Sequence, residues 1–378
     1  MNLSTNCTNR CLRIAQALDK TYEVEIVGAT FGVGKQWGTG IWPPLANTAI
    51  PIRPVRGDYL PGFFRSIRQL LALLDGDVII ACKPRFPSLG IALIKKLISG
   101  TPVILDVDDD ELAQTLPGKK ASLLKQFINT SGYFFTRITH PLWKRADAVF
   151  TVSEHFRHTY GGTIVPHGQD PLLLNPAIYD RTTIRSEMGI AEDEIIITFI
   201  GTPQHQKGID LILAAIKKLD NSKLKLMIIG VNKDDNYLIA LEQHYANTIL
   251  SIPPQPVEKI PRFLAAADYV ALPQRNVPES LGQMPAKLTD AMAMAKPVIA
   301  SALSDIPLHL KNRGLLIEPG DTEGLAQHIS WLITHKDEAK KLGENARKFF
   351  LDNLTLEAMF KAMQPEIERV FKQVRSKP

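Results

Sequence analysis

Three stretches of this chain place charged and small residues where a phosphate-bearing ligand could be held. The first is Glu279–Ala300, E-S-L-G-Q-M-P-A-K-L-T-D-A-M-A-M-A-K-P-V-I-A. Pro285 suits the first turn of a helix, where its missing N–H costs nothing. The backbone around Gly282, Gln283, Met284, Pro285 and Ala286 then offers orphan N–H donors at a helix N-terminus, an anion site fit for a diphosphate. Lys287 and Asp290 are three apart and share a helix face. A lysine can hold phosphate and a carboxylate can accept from a ribose diol, although the same pair could be a surface ion pair. The second stretch is I-T-F-I-G-T-P-Q-H-Q-K-G-I-D-L, Ile197–Leu211. A strand ends at Gly201, a polar loop starts at Thr202, and Lys207-Gly208 opens a helix. That is a second anion-binding arrangement, or a capping lysine on a solvent loop. The third is V-P-H-G-Q-D, Val165–Asp170, whose His167 is either a site residue or a structural histidine.

Two further patterns invite other chemistry. V-I-L-D-V-D-D-D-E, Val103–Glu111, is a strand ending in clustered carboxylates. Asp106–Asp110 could bind Mg²⁺ as in a phosphatase, or cap the next helix, where carboxylates are favourable. G-A-T-F-G-V-G-K-Q, Gly28–Gln36, is near a P-loop, but its glycine spacing is one residue too long and Gln36 stands where a metal-binding Ser/Thr belongs. Cys7 and Cys11 lie four apart with no second ligand pair, and read as free or buried thiols.

The elements that must position these residues alternate. Strands are predicted at Glu23–Val27, Val78–Ala81, Val103–Asp106, Ala148–Val152 and Thr163–Val165. A second series is predicted at Ile195–Ile200, Leu224–Ile229, Tyr269–Leu272, Pro297–Ala300 and Leu315–Ile317. They are short, rich in Val, Ile and Leu, and lack polar alternation, as parallel strands covered on both faces do. Helical periodicity intervenes at Cys11–Leu18, Phe63–Leu74, Gly90–Ile98, Ile209–Leu219, Val257–Ala266, Pro285–Ala293 and Gly324–Ile333. This predicts α/β doubly wound layers. A Pro- and Gly-bearing stretch from Pro166 to about Thr183 separates the two series. The expected organisation is a domain over 1–168, a second over 169–355, and a last helix over 356–378 that returns to the first. At the C-terminus, Gly343 is expected to end one helix and Pro365 to kink or split another.

Composition narrows the class. Of 378 residues, 45% are hydrophobic and 22% charged, which excludes a disordered tail, a collagenous repeat or a coiled-coil rod. No apolar run approaches the length of a membrane span, and no secretory leader is read at M-N-L-S-T-N-C-T-N-R. The net charge is +5, of which residues 1–180 carry +4, with 19 basic and 15 acidic groups. Leu112–Ala146 has no acid and interleaves Lys119, Lys120, Lys125, Arg137, Lys144 and Arg145 with five aromatics. It is read as a surface for an anionic membrane face or a phosphorylated partner, or as a solvated helical face with its aromatics in the core. No nucleic-acid-binding signature accompanies it. Three cysteines suggest a reducing, cytoplasmic setting.

Together the three stretches resemble the glycosyltransferase group 1 family. That family has a strand, then G-R, a loop and K-G opening a helix; later E-G-F-G and L-E-A-M-A-x-G-x-P-V-I-A; and P-N-G-x-D between domains. Here these read G-T with Lys207-Gly208, then E-S-L-G with L-T-D-A-M-A-M-A-K-P-V-I-A, and P-H-G-Q-D. A-D-A-V-F-T-V-S-E, Ala146–Glu154, matches the entry to the linker. The resemblance implies a GT-B fold: two Rossmann-like doubly wound parallel-sheet domains facing a cleft. It implies a retaining transferase that uses a nucleotide-diphosphate sugar as co-substrate, with no metal or other cofactor. Carried over, Lys207 binds the diphosphate, Asp290 the ribose and Glu279 the transferred sugar, with Gly201, Thr202, Gly282, Gln283, Met284, Pro285 and Lys287 around the donor. His167 and Asp106 are placed on the acceptor side, with a glycan or lipid-linked acceptor at the inner membrane face. Thr202 stands where the family has arginine, and Glu279 is eleven residues before Asp290 against the usual eight. The family opens with a buried strand before its first helix, whereas here only a few polar residues precede that helix. The first strand is therefore either very short or lies ahead of the sequence. The alternatives are a non-catalytic nucleotide-sugar-binding protein and, in a different class, an Mg²⁺-dependent phosphatase built on Asp106–Asp110.

Overall fold

Short apolar runs with no polar alternation must be covered on both faces, and the computed structural model places them so. It describes residues 2–31, 40–116, 123–232 and 234–375. The P-loop-like stretch beyond Phe31, with Lys119 and Lys120, lies outside the described residues, as does the side chain of Lys125. Strands are β1 Ile26–Thr30, β2 Ile52–Arg56, β3 Ile79–Cys82, β4 Val103–Val107, β5 Ala148–Thr151, β6 Thr163–Ile164, β7 Ile195–Ile200, β8 Leu224–Ile229, β9 Ile249–Ile252, β10 Tyr269–Leu272, β11 Val298–Ser301 and β12 Leu315–Ile317. The helices used below are α1 Asn9–Leu18, α2 Phe63–Leu73, α3 Ile91–Ser99, α4 Ile209–Leu219, α5 Ala286–Ala293, α6 Thr322–Thr334, α7 Lys336–Asn353 and α8 Leu356–Arg375. The chain divides into two compact units, one of Met1–Gly168 with Leu356–Pro378, the other of Gln169–Thr355.

In the second unit six parallel strands run in the order β12-β11-β10-β7-β8-β9. Counted within the unit this is the doubly wound order, with the first strand central and the switch point between β7 and β10. β10 and β11 are buried along their whole lengths. β9 went unpredicted because it is a half-exposed edge of four residues, Ile-Leu-Ser-Ile.

In the first unit four parallel strands run β3-β4-β5-β6, and β1 pairs separately with β2. β2 carries Pro54, which argued against a strand; it is an edge, where a missing donor is tolerated. Ahead of α1, Asn2 makes one parallel bridge to Ala29. α1 and α8 pack on one face, where Ile14, Leu18, Met359, Met363, Ile367 and Val370 share a core with Ile104 and Phe150. Leu70 and Ile91 pack with Ala29, Val55 and Phe63 in a separate core.

Two expectations at the C-terminus are corrected. Gly343 does not end a helix: α7 runs through it. A Cβ there would lie 2.1 Å from the Ala295 carbonyl oxygen, so the glycine serves close approach rather than termination. Pro365 does not split α8, which continues to Arg375, anchored on both sides of the proline by buried Met359, Met363, Ile367 and Val370.

Candidate functional site

The candidate site forms at the switch point of the second unit, where β7 and β10 end. Gly201 follows β7 with a φ of 121°, a conformation that favours glycine. A Cβ there would lie 2.9 Å from Lys287 Nζ, so the lysine comes up against the glycine backbone. Gly208, at φ 72°, packs against the Pro273 carbonyl, where a Cβ would be 2.1 Å from the oxygen. This draws the 201–208 loop onto the end of β10. Arg275 fixes it further, donating to both Asp210 carboxylate oxygens (2.6 and 2.9 Å) and to the His205 carbonyl (2.5 Å). Tyr237 donates to Asp210 at 2.8 Å.

Lys207 ends a short 3₁₀ turn, His205–Lys207, and donates to Gln283 Oε1 at 2.9 Å. Gln283 thereby joins the two predicted stretches. Lys287 lies on α5 with its ammonium 4.2 Å from the Phe199 ring centroid. Desolvation, then the charge of Lys207, pull its pKa well below the usual lysine value, against the opposite pull of Asp290. Lys207 and Lys287 thus lie near one another, Lys287 against a glycine turn. Asp290 Oδ1 accepts from Gln169 Nε2 at 2.6 Å. Gln169 is 4% exposed, and it belongs to the P-H-G-Q-D stretch although it was not singled out there.

The other residues expected at a donor are found as follows. Gly282, Gln283, Met284 and Pro285 lead into α5, with Met284 buried. Pro285 is the extended N-cap rather than a residue of the first turn, since α5 starts at Ala286. Thr202 is exposed on the loop. Glu279 lies half-exposed in the short helix Pro278–Leu281.

In the first unit the carboxylate cluster is resolved into structural ion pairs. Asp106 is fully buried and accepts from Arg10 Nη2 at 2.8 Å and Nε at 3.2 Å. Arg10 also donates to the Val165 and Pro166 carbonyls, at 2.9 and 2.8 Å. A role for Asp106 in orienting an acceptor or holding Mg²⁺ is corrected: both carboxylate oxygens are taken by the guanidinium. Asp110 is the cap, accepting from Leu112 and Ala113 N–H at 3.0 Å. Asp108, Asp109 and Glu111 converge, but on the Lys83 ammonium, at 3.1, 2.7 and 2.6 Å. Arg85 also pairs with Glu111. Against the desolvation of burial, these three carboxylates hold the Lys83 pKa well above its usual value. A cation is already supplied, which removes the ground for the phosphatase reading. His167 lies half-buried just past Pro166 in the first unit. Arg10 and Lys83 carried no sequence signal, because their partners are far along the chain.

The family model for glycosyl transferases group 1 matches residues 180–349. The second unit belongs to that family. The chain is 28% identical over 196 residues, 48% of its length, to a D-inositol 3-phosphate glycosyltransferase of Nocardia farcinica, of which the match covers 42%. It is 27% identical over 241 residues to an uncharacterized glycosyltransferase of Methanocaldococcus jannaschii, covering 62% of each chain. The chain spans less than half the length of the first of these relatives. Among solved structures, Anabaena HepE in complex with UDP and glucose aligns with a TM-score of 0.76 at 17% identity, over 98% of this chain and 97% of that one. The sucrose-phosphate synthase of Thermosynechococcus elongatus aligns at 0.74 and 17%, over 98% and 94%. The fold is GT-B, with two Rossmann-like units.

Proposed function

We propose that the chain is a retaining glycosyltransferase that moves a sugar from a nucleotide-diphosphate donor to a glycan or lipid-linked acceptor. The observation that carries this is Lys287 lying against the Gly201 backbone, with Lys207 close enough for its charge to act on Lys287 and bonded to Gln283. Diphosphate would lie between the two ammonium groups and the N–H donors ahead of α5. Asp290, oriented by Gln169, would take the ribose diol, and Glu279 would meet the sugar. As the sugar gains oxocarbenium character, the same cations would stabilise the departing diphosphate. His167 is assigned to the acceptor side. Nothing in this scheme calls for a metal or other cofactor.

Lys287 compensates for Thr202. One opposed charge at ~4 Å is worth up to about 4 kcal/mol at an effective dielectric near 20, so an uncompensated loss of arginine would cripple donor binding. The test is thermal stability with UDP, GDP and ADP for the wild type and Lys207→Ala. A nucleotide at 100 times its Kd should add about 2.7 kcal/mol, and the gain should vanish in the variant. No shift with any of the three would end the donor-site reading. Exposed Thr202 also favours a second reading, a non-catalytic nucleotide-sugar binder, identified by binding without turnover across an acceptor panel.

Enzyme and lipid-linked acceptor would meet at the cytoplasmic membrane face through the acid-free segment 112–146. Leu124, Phe127, Ile138 and Leu142 are exposed there beside exposed Arg137, Lys144 and Arg145. No helix among the described residues is long and apolar enough to cross a membrane. Failure to bind anionic vesicles at low salt would sink this part.

A further inference from the structure

Gln169 opens the second unit, and its backbone is fixed there. Its N–H donates to the Leu354 carbonyl at 3.0 Å, and the residue bridges Thr355 in parallel. Its side chain is buried, with Nε2 donating to Asp290 Oδ1 at 2.6 Å. The other end of the amide, Oε1, is buried and has no hydrogen-bond partner among the described residues. The amide cannot be turned round, because that would set Oε1 against a carboxylate oxygen. A buried carbonyl oxygen with no partner costs free energy that an apolar side chain of the same size would not. As packing alone, leucine or methionine would serve better at this position. The polar group at 169 is accounted for by its bond to Asp290.

That bond fixes a group that could otherwise turn. Asp290 lies within α5, with Lys287 three residues before it on the same helix. The last torsion of an aspartate is broad, so a carboxylate without a tether could rotate towards the lysine, on which its charge already acts. Gln169 takes Oδ1 and sets the plane of the carboxylate. Both ends of the bond stand on fixed backbone, α5 on one side and the 169/354–355 pairing on the other. The same segment is tied to the end of α5 a second time: Arg347 of α7 donates to the Leu174 carbonyl at 2.5 Å and to the Ala293 carbonyl at 2.6 Å. A carboxylate held in this way cannot swing to a new partner when a ligand hydroxyl is missing.

We propose that Gln169 is a positioning residue that sets the donor class: by fixing Asp290 it makes the site take ribonucleoside diphosphate sugars and turn away 2′-deoxyribonucleoside ones. This rests on the donor-site reading, in which Asp290 meets the ribose, and adds to it which nucleotides are refused. A site built to hydrogen-bond a hydroxyl discriminates strongly against the analogue that lacks it, because the site's own polar group is then left unpaired. A carboxylate able to rotate loses that discrimination, since it recovers a donor from Lys287 or from water. Gln169 acts through Asp290 and need not touch the ligand.

The test is calorimetric titration of the full chain with UDP, GDP and ADP and with the 2′-deoxy form of each, for the wild type and Gln169→Leu. The readout is the ratio of the two dissociation constants for one base, which a change in folding alone does not move. In the wild type the ribonucleotide that binds should do so about a hundredfold or more tighter than its deoxy form. Gln169→Leu should weaken the ribonucleotide about tenfold and bring the ratio to within about fivefold. If that variant does not fold, Gln169→Met, which adapts its shape to the same space, takes its place with the same expectation. A wild type that binds both forms alike would overturn the proposal and leave the donor site standing. So would a variant that keeps the wild-type ratio, or a folded variant that binds neither form, which would put Gln169 in the frame of the whole site. A wild type that binds no nucleotide at all would end the donor-site reading itself, and this inference with it.

Discussion

Burial, and then the charge of Lys207, lower the Lys287 pKa, although its head group lies over the Phe199 ring. A diphosphate between the two lysines would oppose that shift and raise the pKa. Binding should therefore take up a proton wherever the pH lies above the free-state pKa and below the bound-state one. Affinity should fall as pH rises through that window. Calorimetry in two buffers of different ionisation enthalpy would measure the uptake, and Lys287→Met should abolish it while weakening binding about tenfold or more. Equal proton counts for wild type and variant would remove Lys287 from the site. Asp106 belongs to a different class of residue. Its oxygens are taken by Arg10 in a site with no solvent access, so Asp106→Asn leaves a buried guanidinium without its counter-charge. Such a loss costs about 3–5 kcal/mol, readable by urea unfolding, with nucleotide binding by the second unit unchanged. The sequence singles out Lys207, Lys287 and Asp290 because each sits at a fixed offset from a strand end or helix start. It could not show that Asp106 is neutralised, since Arg10 lies 96 positions away and nothing local marks the pairing.

At the level of the element, periodicity carried most of the fold. β7, β8, β10, β12 and α4 fall where the apolar runs placed them; all but β12, of which only Ile317 is buried, are largely buried. Elements that were missed or misjudged obey local rules that tertiary packing overrode. β2 is a strand despite Pro54 because it is an edge, and α7 passes through Gly343 because Ala295 presses against it. Two effects compete in Gly343→Ala. Helix propensity gains about 1 kcal/mol, but a Cβ 2.1 Å from a backbone oxygen forces α7 away from its neighbour. Overpacking costs about 1–3 kcal/mol, and we expect it to win because the atom that must yield is backbone. The thermal midpoint should fall by a few degrees; a rise would mean that propensity dominates and that the contact is soft.

For the molecule as a whole, the first unit depends on the last helix. Met359, Met363, Ile367 and Val370 are each at most 3% exposed, within the core that holds Ile104 and Phe150. At about 1.5–3 kcal/mol per buried side chain, their removal forfeits roughly the whole stability of a typical domain. A chain ending at Thr355 should lose the cooperative unfolding transition of the first unit and keep nucleotide-dependent stabilisation of the second. Scanning calorimetry with and without UDP separates the two. Retention of both transitions would show that α8 is peripheral.

That discontinuity sets an order on synthesis. Gln169 and Leu354–Thr355 pair side by side where the chain enters and leaves the second unit. The ribosome must therefore deliver that entire unit before the helix that completes the first one emerges. At about 5–20 residues per second the wait is on the order of 10–40 s. During it the open face of the first unit, Ile14, Leu18, Ile104 and Phe150, is available to chaperones, while the second unit can fold as a closed insert between two adjacent ends.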